Sequence, residues 1–244
     1  MKVLITGGCS FSADSHCWPV HLQNNLSCDT HYQTGVGSSG NDLISRKVIW
    51  QVNECLKKGV SPEDMLVGIM WSGKERRAFL IDSFNDLGIC QPFDSETSPH
   101  KWPQVSQTQQ SWWVLIGVGF NSLFSQNWYK RYQNHPSDSI YAYENILRTQ
   151  WFLQNYNIKY FMTTYTDEVL RDRPDDNANY QHDYLKDMID FEYFLPVSSE
   201  HGWCVENYNE RFPNPGDPHP GNYQHKRFSE EVIIPYLRDK YGIT

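Results

Sequence analysis

The chain has 244 residues with 39% hydrophobic and 15% aromatic side chains, enough for one α/β domain with a core built largely on rings. Its 21 Lys and Arg against 29 Asp and Glu leave a formal charge of −8. That balance argues against nucleic acid and anionic lipid as partners. No apolar run approaches the roughly 20 residues that cross a bilayer, and the short N-terminal apolar stretch lacks the length and cleavage site of a signal peptide. The six cysteines form no Cys-x-x-Cys pair, so free thiols and a cytoplasmic location are expected.

In chain order, residues 2–6 read as a first strand closed by Gly7-Gly8. A helical segment over 15–26 follows, with Pro19 near its first turn, and His31 to Gly37 holds a short second strand. Residues 35–42 are too rich in Gly and Ser for a regular element. From Asp42 the apolar residues Leu43, Ile44, Val48, Ile49, Val52 and Leu56 recur at helical spacing, and Lys57-Lys58-Gly59 marks the stop. Met65 to Trp71 is a buried strand. The alternation predicts a parallel sheet with helices on both faces, a three-layer α/β/α architecture of flavodoxin-like type.

Residues 82–120 read as an irregular insertion, rich in Pro and Trp, within one domain spanning 1–244. Helices are expected at 121–133 and 138–156, the second presenting Ile140, Tyr143, Ile146, Leu147 and Trp151 on one side. Lys159 to Thr164 is a fourth strand, and 167–183 a polar surface loop. Phe228, Val232, Ile233, Tyr236 and Leu237 make an amphipathic C-terminal helix that Pro235 would kink.

Two clusters have the residue types for chemistry. Gly7-Gly8-Cys9-Ser10-Phe11-Ser12 follows the first strand. As a dinucleotide-binding turn it fails on spacing, because no further glycine appears until Gly35. As a site for a serine nucleophile it needs a base and oxyanion donors from elsewhere. Gly216-Asp217-Pro218-His219-Pro220-Gly221, before the last helix, offers an imidazole and a carboxylate. Taken alone it also reads as a Pro/Gly turn with an incidental Asp and His. Asp217, His219, His225 and the His182-Asp183 pair lack the tight spacing of metal ligands, so no metal and no cofactor are expected, and His225 reads as a capping or packing residue.

The order of these blocks resembles the SGNH (GDSL-type) hydrolase superfamily: Gly-x-Ser after the first strand, a Gly/Ser/Asn loop after the second, and Asp/His-Pro near the end. The resemblance implies Ser10 as nucleophile, His219 as general base and Asp217 as the orienter of its ring. Gly37 would donate its backbone N–H to the oxyanion along with Ser10, although Gly35 and Gly40 also suit. The sequence departs from the pattern in three places. Cys9 stands where the motif has aspartate, the third residue before the histidine is Gly216, and Trp71-Ser72-Gly73-Lys74 replaces Gly-x-Asn-Asp. The missing asparagine donor is then replaced by Ser72 or Asn41.

Trp71, at a strand end, is placed to line a substrate site, as are Trp102, Trp112 and Trp113, while ordinary core packing is the reading for most of the nine tryptophans. Arg76-Arg77 could clamp an acidic substrate or begin a solvated helix. The resulting expectation is a cofactor-independent serine esterase acting on small carboxylic esters, with O-acetyl groups on carbohydrate as one substrate class. The alternative from another class is a non-catalytic carbohydrate-binding or structural protein that keeps the fold.

Overall fold

Four parallel strands form the main sheet: β1 (Val3–Gly7), β2 (Thr30–Gln33), β3 (Met65–Trp71) and β6 (Lys159–Thr164), in the order β2-β1-β3-β6. The computed structural model describes residues 1–81, 112–116, 123–166, 170, 183–195, 216 and 219–243. β1 pairs Val3 with Thr30 on one side and with Met65 on the other, and β3 pairs Leu66 with Lys159. A separate antiparallel ribbon joins β4 (Arg77–Ile81) to β5 (Trp112–Ile116).

Alternation along the strands divides the core in two. Val3, Ile5, Met65, Val67, Ile69, Trp71, Tyr160 and Met162 face one side, against α2 (Asn41–Lys57) and α4 (His135–Asn155). Leu4, Leu66, Met70 and Phe161 face the other, against α1 (Trp18–Asn25) and the C-terminal helical segment. Helices thus cover both faces, as parallel strands buried on both sides require. Gly68 makes the second face fit: a Cβ there would stand 2.6 Å from the Phe161 ring and 3.1 Å from the Trp18 indole.

The elements follow local chemistry. Asn134 caps α4, its side chain accepting from the Ser137 N–H at 2.9 Å, after α3 (Leu123–Tyr132). The short α5 (Asp183–Asp187) follows the fourth parallel strand, and Leu185 and Ile189 add to the first core face. The C-terminal segment is α6 (Asn222–Phe228), a wide π turn over Ser229–Ile233, then α7 (Ile234–Tyr241). Pro235 is the second residue of α7, and its missing N–H cannot close the α-helical bond to Glu231, which accounts for the widened turn just before it.

Several expectations change. α1 begins at Trp18, later than 15, because Cys17 is extended and stands as its N-cap residue. Residues 112–116, expected to be irregular, form β5, in keeping with the strand preference of Trp-Trp-Val-Leu-Ile. Arg77 begins a strand rather than a helix. Trp151, expected on the inner side of α4, is 52% exposed. The rest of the predicted insertion and nearly all of the 167–183 loop lie outside the described residues. No described helix is long and apolar enough to cross a membrane.

Candidate active site

Open parallel sheets gather ligands at the carboxyl ends of their strands, and here the end of β1 is tightly built. A Cβ on Gly7 would meet the Val48 side chain at 2.4 Å, and one on Gly8 the Ser12 hydroxyl at 2.3 Å. The chain therefore passes close to its neighbours and turns into a short 3-10 helix over Ser10–Ser12. Cys9 is fully buried beneath it as a free thiol. Ser12 is buried too, its hydroxyl accepting from the Trp18 indole at 2.9 Å. Ser10 alone of this turn is left half-buried.

The C-terminal segment delivers the imidazole. Trp18 and Leu22 of α1 share a core cluster with Phe228, Val232, Ile233 and Leu237, so the two helical segments lie on the same face of the sheet. His21 and Asn222 tie them at the surface, Nε2 to Oδ1 at 2.8 Å. His219 stands three residues before α6, and its Nε2 lies 3.1 Å from the Ser10 Oγ, across 209 positions of sequence. Its exposed ring packs on Phe11, centroids 4.9 Å apart, and Phe11 packs on Tyr165 at 4.9 Å. Asp217, the expected orienter, lies outside the described residues.

The loop after β2 comes next to Ser10. Ser39 donates to the carbonyls of Gly8 and Val36 at 3.1 and 2.9 Å, and Val36 N–H donates to Gly8 at 3.0 Å. Ser38 has φ +64°, a left-handed conformation that costs a non-glycine residue about 1 kcal/mol and re-aims the peptide groups on either side. The three loop glycines differ. A Cβ on Gly35 would strike the Ser12 carbonyl at 2.5 Å and one on Gly40 the Arg76 carbonyl at 2.6 Å, while Gly37 has nothing within 4 Å. Among the described residues neither the Ser10 nor the Gly37 backbone N–H finds an acceptor.

Asn41 and Ser72 are found together, in a different relation from the one expected. The Asn41 amide donates to the Ser72 carbonyl at 3.1 Å and accepts from the Ser72 N–H at 2.8 Å. This pair of hydrogen bonds locks the loop after β2 to the turn after β3, with both residues buried. The Ser72 hydroxyl is buried without a partner among the described residues. Trp71 is fully buried in the core on the α2 and α4 side, so it forms no accessible wall; strand alternation turns its ring inward. Trp102 lies outside the described residues.

Sequence reasoning passed over Phe11 and Tyr165, the rings that join His219 to the sheet, because nothing local marks a contact made over such distances in the chain. It also passed over Asp14, His16 and Cys17, whose ligand atoms lie within 4.8 Å of one another beside α1. Asp14 and His16 are exposed, but Cys17 is buried and burial pushes its thiol up to about 12. Its Sγ donates to the Ser10 carbonyl at 3.5 Å, so a metal ion would first have to displace a well-held proton. His225 is buried, its Nδ1 without a partner among the described residues, and its ring centroid lies 6.3 Å from that of His16 in an edge-to-face arrangement. Burial, aided by the nearby His16, His21 and His219, lowers it to about 3 and keeps it neutral. His225 is thus a packing residue, one of the two roles the sequence left open.

Fold and site together define a parallel α/β protein with a serine–imidazole contact at the carboxyl ends of its strands. Residues 6–168 match a family described as "Family of unknown function (DUF6071)", and the chain belongs to that family. No curated protein matches it. Among solved structures the chain is similar to a member of the lipolytic protein G-D-S-L family from Veillonella parvula DSM 2008, at 7% identity, 99% coverage of both chains and a TM-score of 0.45.

Proposed function

We propose that this protein is a serine hydrolase of carboxylic esters. The observation that carries the reading is the 3.1 Å approach of Ser10 Oγ to His219 Nε2. Serine is a weak nucleophile until a base lies within hydrogen-bond reach, and this geometry supplies one. The block order that resembles SGNH hydrolases, described above, supports the same assignment.

In the reaction, Ser10 Oγ attacks the ester carbonyl as its proton passes to His219 Nε2. The oxyanion of the tetrahedral intermediate accepts from the N–H groups of Ser10 and Gly37, two amides that find no acceptor among the described residues. The intermediate collapses as the C–O bond to the leaving group breaks, and imidazolium returns the proton to the departing alcohol. Water, deprotonated by the same nitrogen, then attacks the acyl-enzyme and releases the acid and free Ser10. Asp217 would hold the imidazole in the required tautomer. Asn41 serves by fixing the Ser72 turn. Small esters, including O-acetyl groups on carbohydrate, are the substrate class.

A fluorophosphonate probe tests this. Wild type should label, and Ser10→Ala should not, while hydrolysis of 4-nitrophenyl acetate falls by at least about a thousandfold in Ser10→Ala and His219→Ala. A folded wild-type protein that neither labels nor hydrolyses the ester overturns the reading in favour of a binding protein.

A further inference from the structure

Two consecutive arginines follow β3, and their surroundings are opposite. Arg77 is fully engaged: 5% exposed, it donates to Asp138 at 2.7 Å and to the carbonyls of Lys74 and Arg76, and its guanidinium lies over Tyr141 at 4.0 Å. Arg76 is half-buried, and among the described residues its side chain has no hydrogen-bond or ion-pair partner; its Nη1 is shielded from solvent and unpartnered there. A buried donor on a charged group without an acceptor is costly and marks a place where an acceptor is missing.

The placement of Arg76 says where that acceptor would come from. Its carbonyl sits against Gly40, so its backbone is held beside the loop that supplies Gly37. Its guanidinium lies 5.5 Å above the Tyr165 ring; Tyr165 contacts Phe11, and Phe11 contacts His219. An unbroken run of ring contacts therefore links this cation to the serine–imidazole pair. Among the described residues, its charged chain neighbours turn elsewhere. The Glu75 carboxylate folds back over Gly73, where a Cβ would meet Oε1 at 2.5 Å, and Lys74 reaches away to Ser139 and Tyr143 at 3.3 and 3.4 Å.

We propose that Arg76 is a substrate-anchoring residue and that the ester hydrolysed here carries a carboxylate, held by this guanidinium while Ser10 attacks the ester carbonyl. The proposal rests on the hydrolase reading above. A planar fork of donors suits a carboxylate, and the ring surface between the two groups suits an apolar spacer between acid and ester. On a chain of net charge −8, an acidic substrate needs such a fixed local cation to be held at all.

The test compares kcat/KM for monomethyl glutarate, adipate and suberate with that for neutral methyl esters of matched length, in wild type, Arg76→Gln and Arg76→Lys, with thermal unfolding as the check on folding. Wild type should prefer the best-fitting acid ester by about tenfold to a hundredfold. Arg76→Gln should bring that ratio to near one, and Arg76→Lys should keep part of it. A wild type that hydrolyses neutral esters without preferring acids, or an Arg76→Gln with the wild-type ratio, overturns the anchor and leaves the hydrolase standing. A wild type inert to both series and to fluorophosphonate overturns the hydrolase and the anchor together.

Discussion

The two faces of the sheet are equally well buried but differently composed. Against α2 and α4 lies apolar packing, reinforced at its edge by the Arg77–Asp138 pair with 6% side-chain exposure on each partner. Against α1 and the C-terminal segment, apolar packing of similar depth is bordered by His16, His21, His219 and His225. One face holds the strands together. The other brings two remote pieces of chain to the same strand end. The difference teaches that the serine turn is fixed by backbone proximity from both sides, whereas the imidazole depends on the docking of one helical segment.

Breaking the first face should unfold the protein without altering the chemistry of what remains folded. Asp138→Asn leaves the buried guanidinium uncompensated and should cost about 3–5 kcal/mol in chemical denaturation. Fluorophosphonate labelling per folded molecule should stay at the wild-type level; its loss would show that the faces are not separable. On the second face, Gly68→Ala forces a methyl group against Phe161 and Trp18. It should destabilise by about 1–3 kcal/mol, measured by the same titration.

The smallest effect sharpens the contrast in acid. Burial lowers His225 to about 3 and His31 to about 4, both below the ordinary value of 6.5. Each is neutral in the native state, while the unfolded chain takes up the proton as pH falls through 6.5. Stability contributed by keeping them neutral is therefore whole above that pH and declines below it, down to their folded values. The slope is about 1.4 kcal/mol per pH unit for each histidine. Denaturation midpoints between pH 7 and 4.5 should fall less steeply in His225→Gln than in wild type. Equal slopes would mean that His225 is not held neutral.

Much of this was legible in the sequence where a local rule applied. The apolar runs of β1, β3 and β6 and the helical spacing in α2 and α4 gave elements close to those observed. The serine turn and the histidine were marked by residue type, order and resemblance. β4 was not legible, because Arg76-Arg77 hides the start of the apolar run Ala78–Ile81. Trp151 misled, since hydrophobicity does not state on which side of a ring the core lies. Asn41 was found, but its pair of hydrogen bonds to Ser72 was not, because the two meet only once β2 and β3 have both paired with β1. Phe11, Tyr165 and Arg76 were joined by packing that no spacing encodes.

The separation of Ser10 from His219 also governs when their contact can exist. A chain emerging from the ribosome exposes its serine turn early, yet no imidazole can reach it until the segment bearing His219 has been made and has settled beside α1. Contacts between such remote positions are among the slower to form. On the proposed mechanism, probe labelling at Ser10 would therefore report that the segment bearing His219 has been made and has docked, and shorter chains would carry an alcohol without its base.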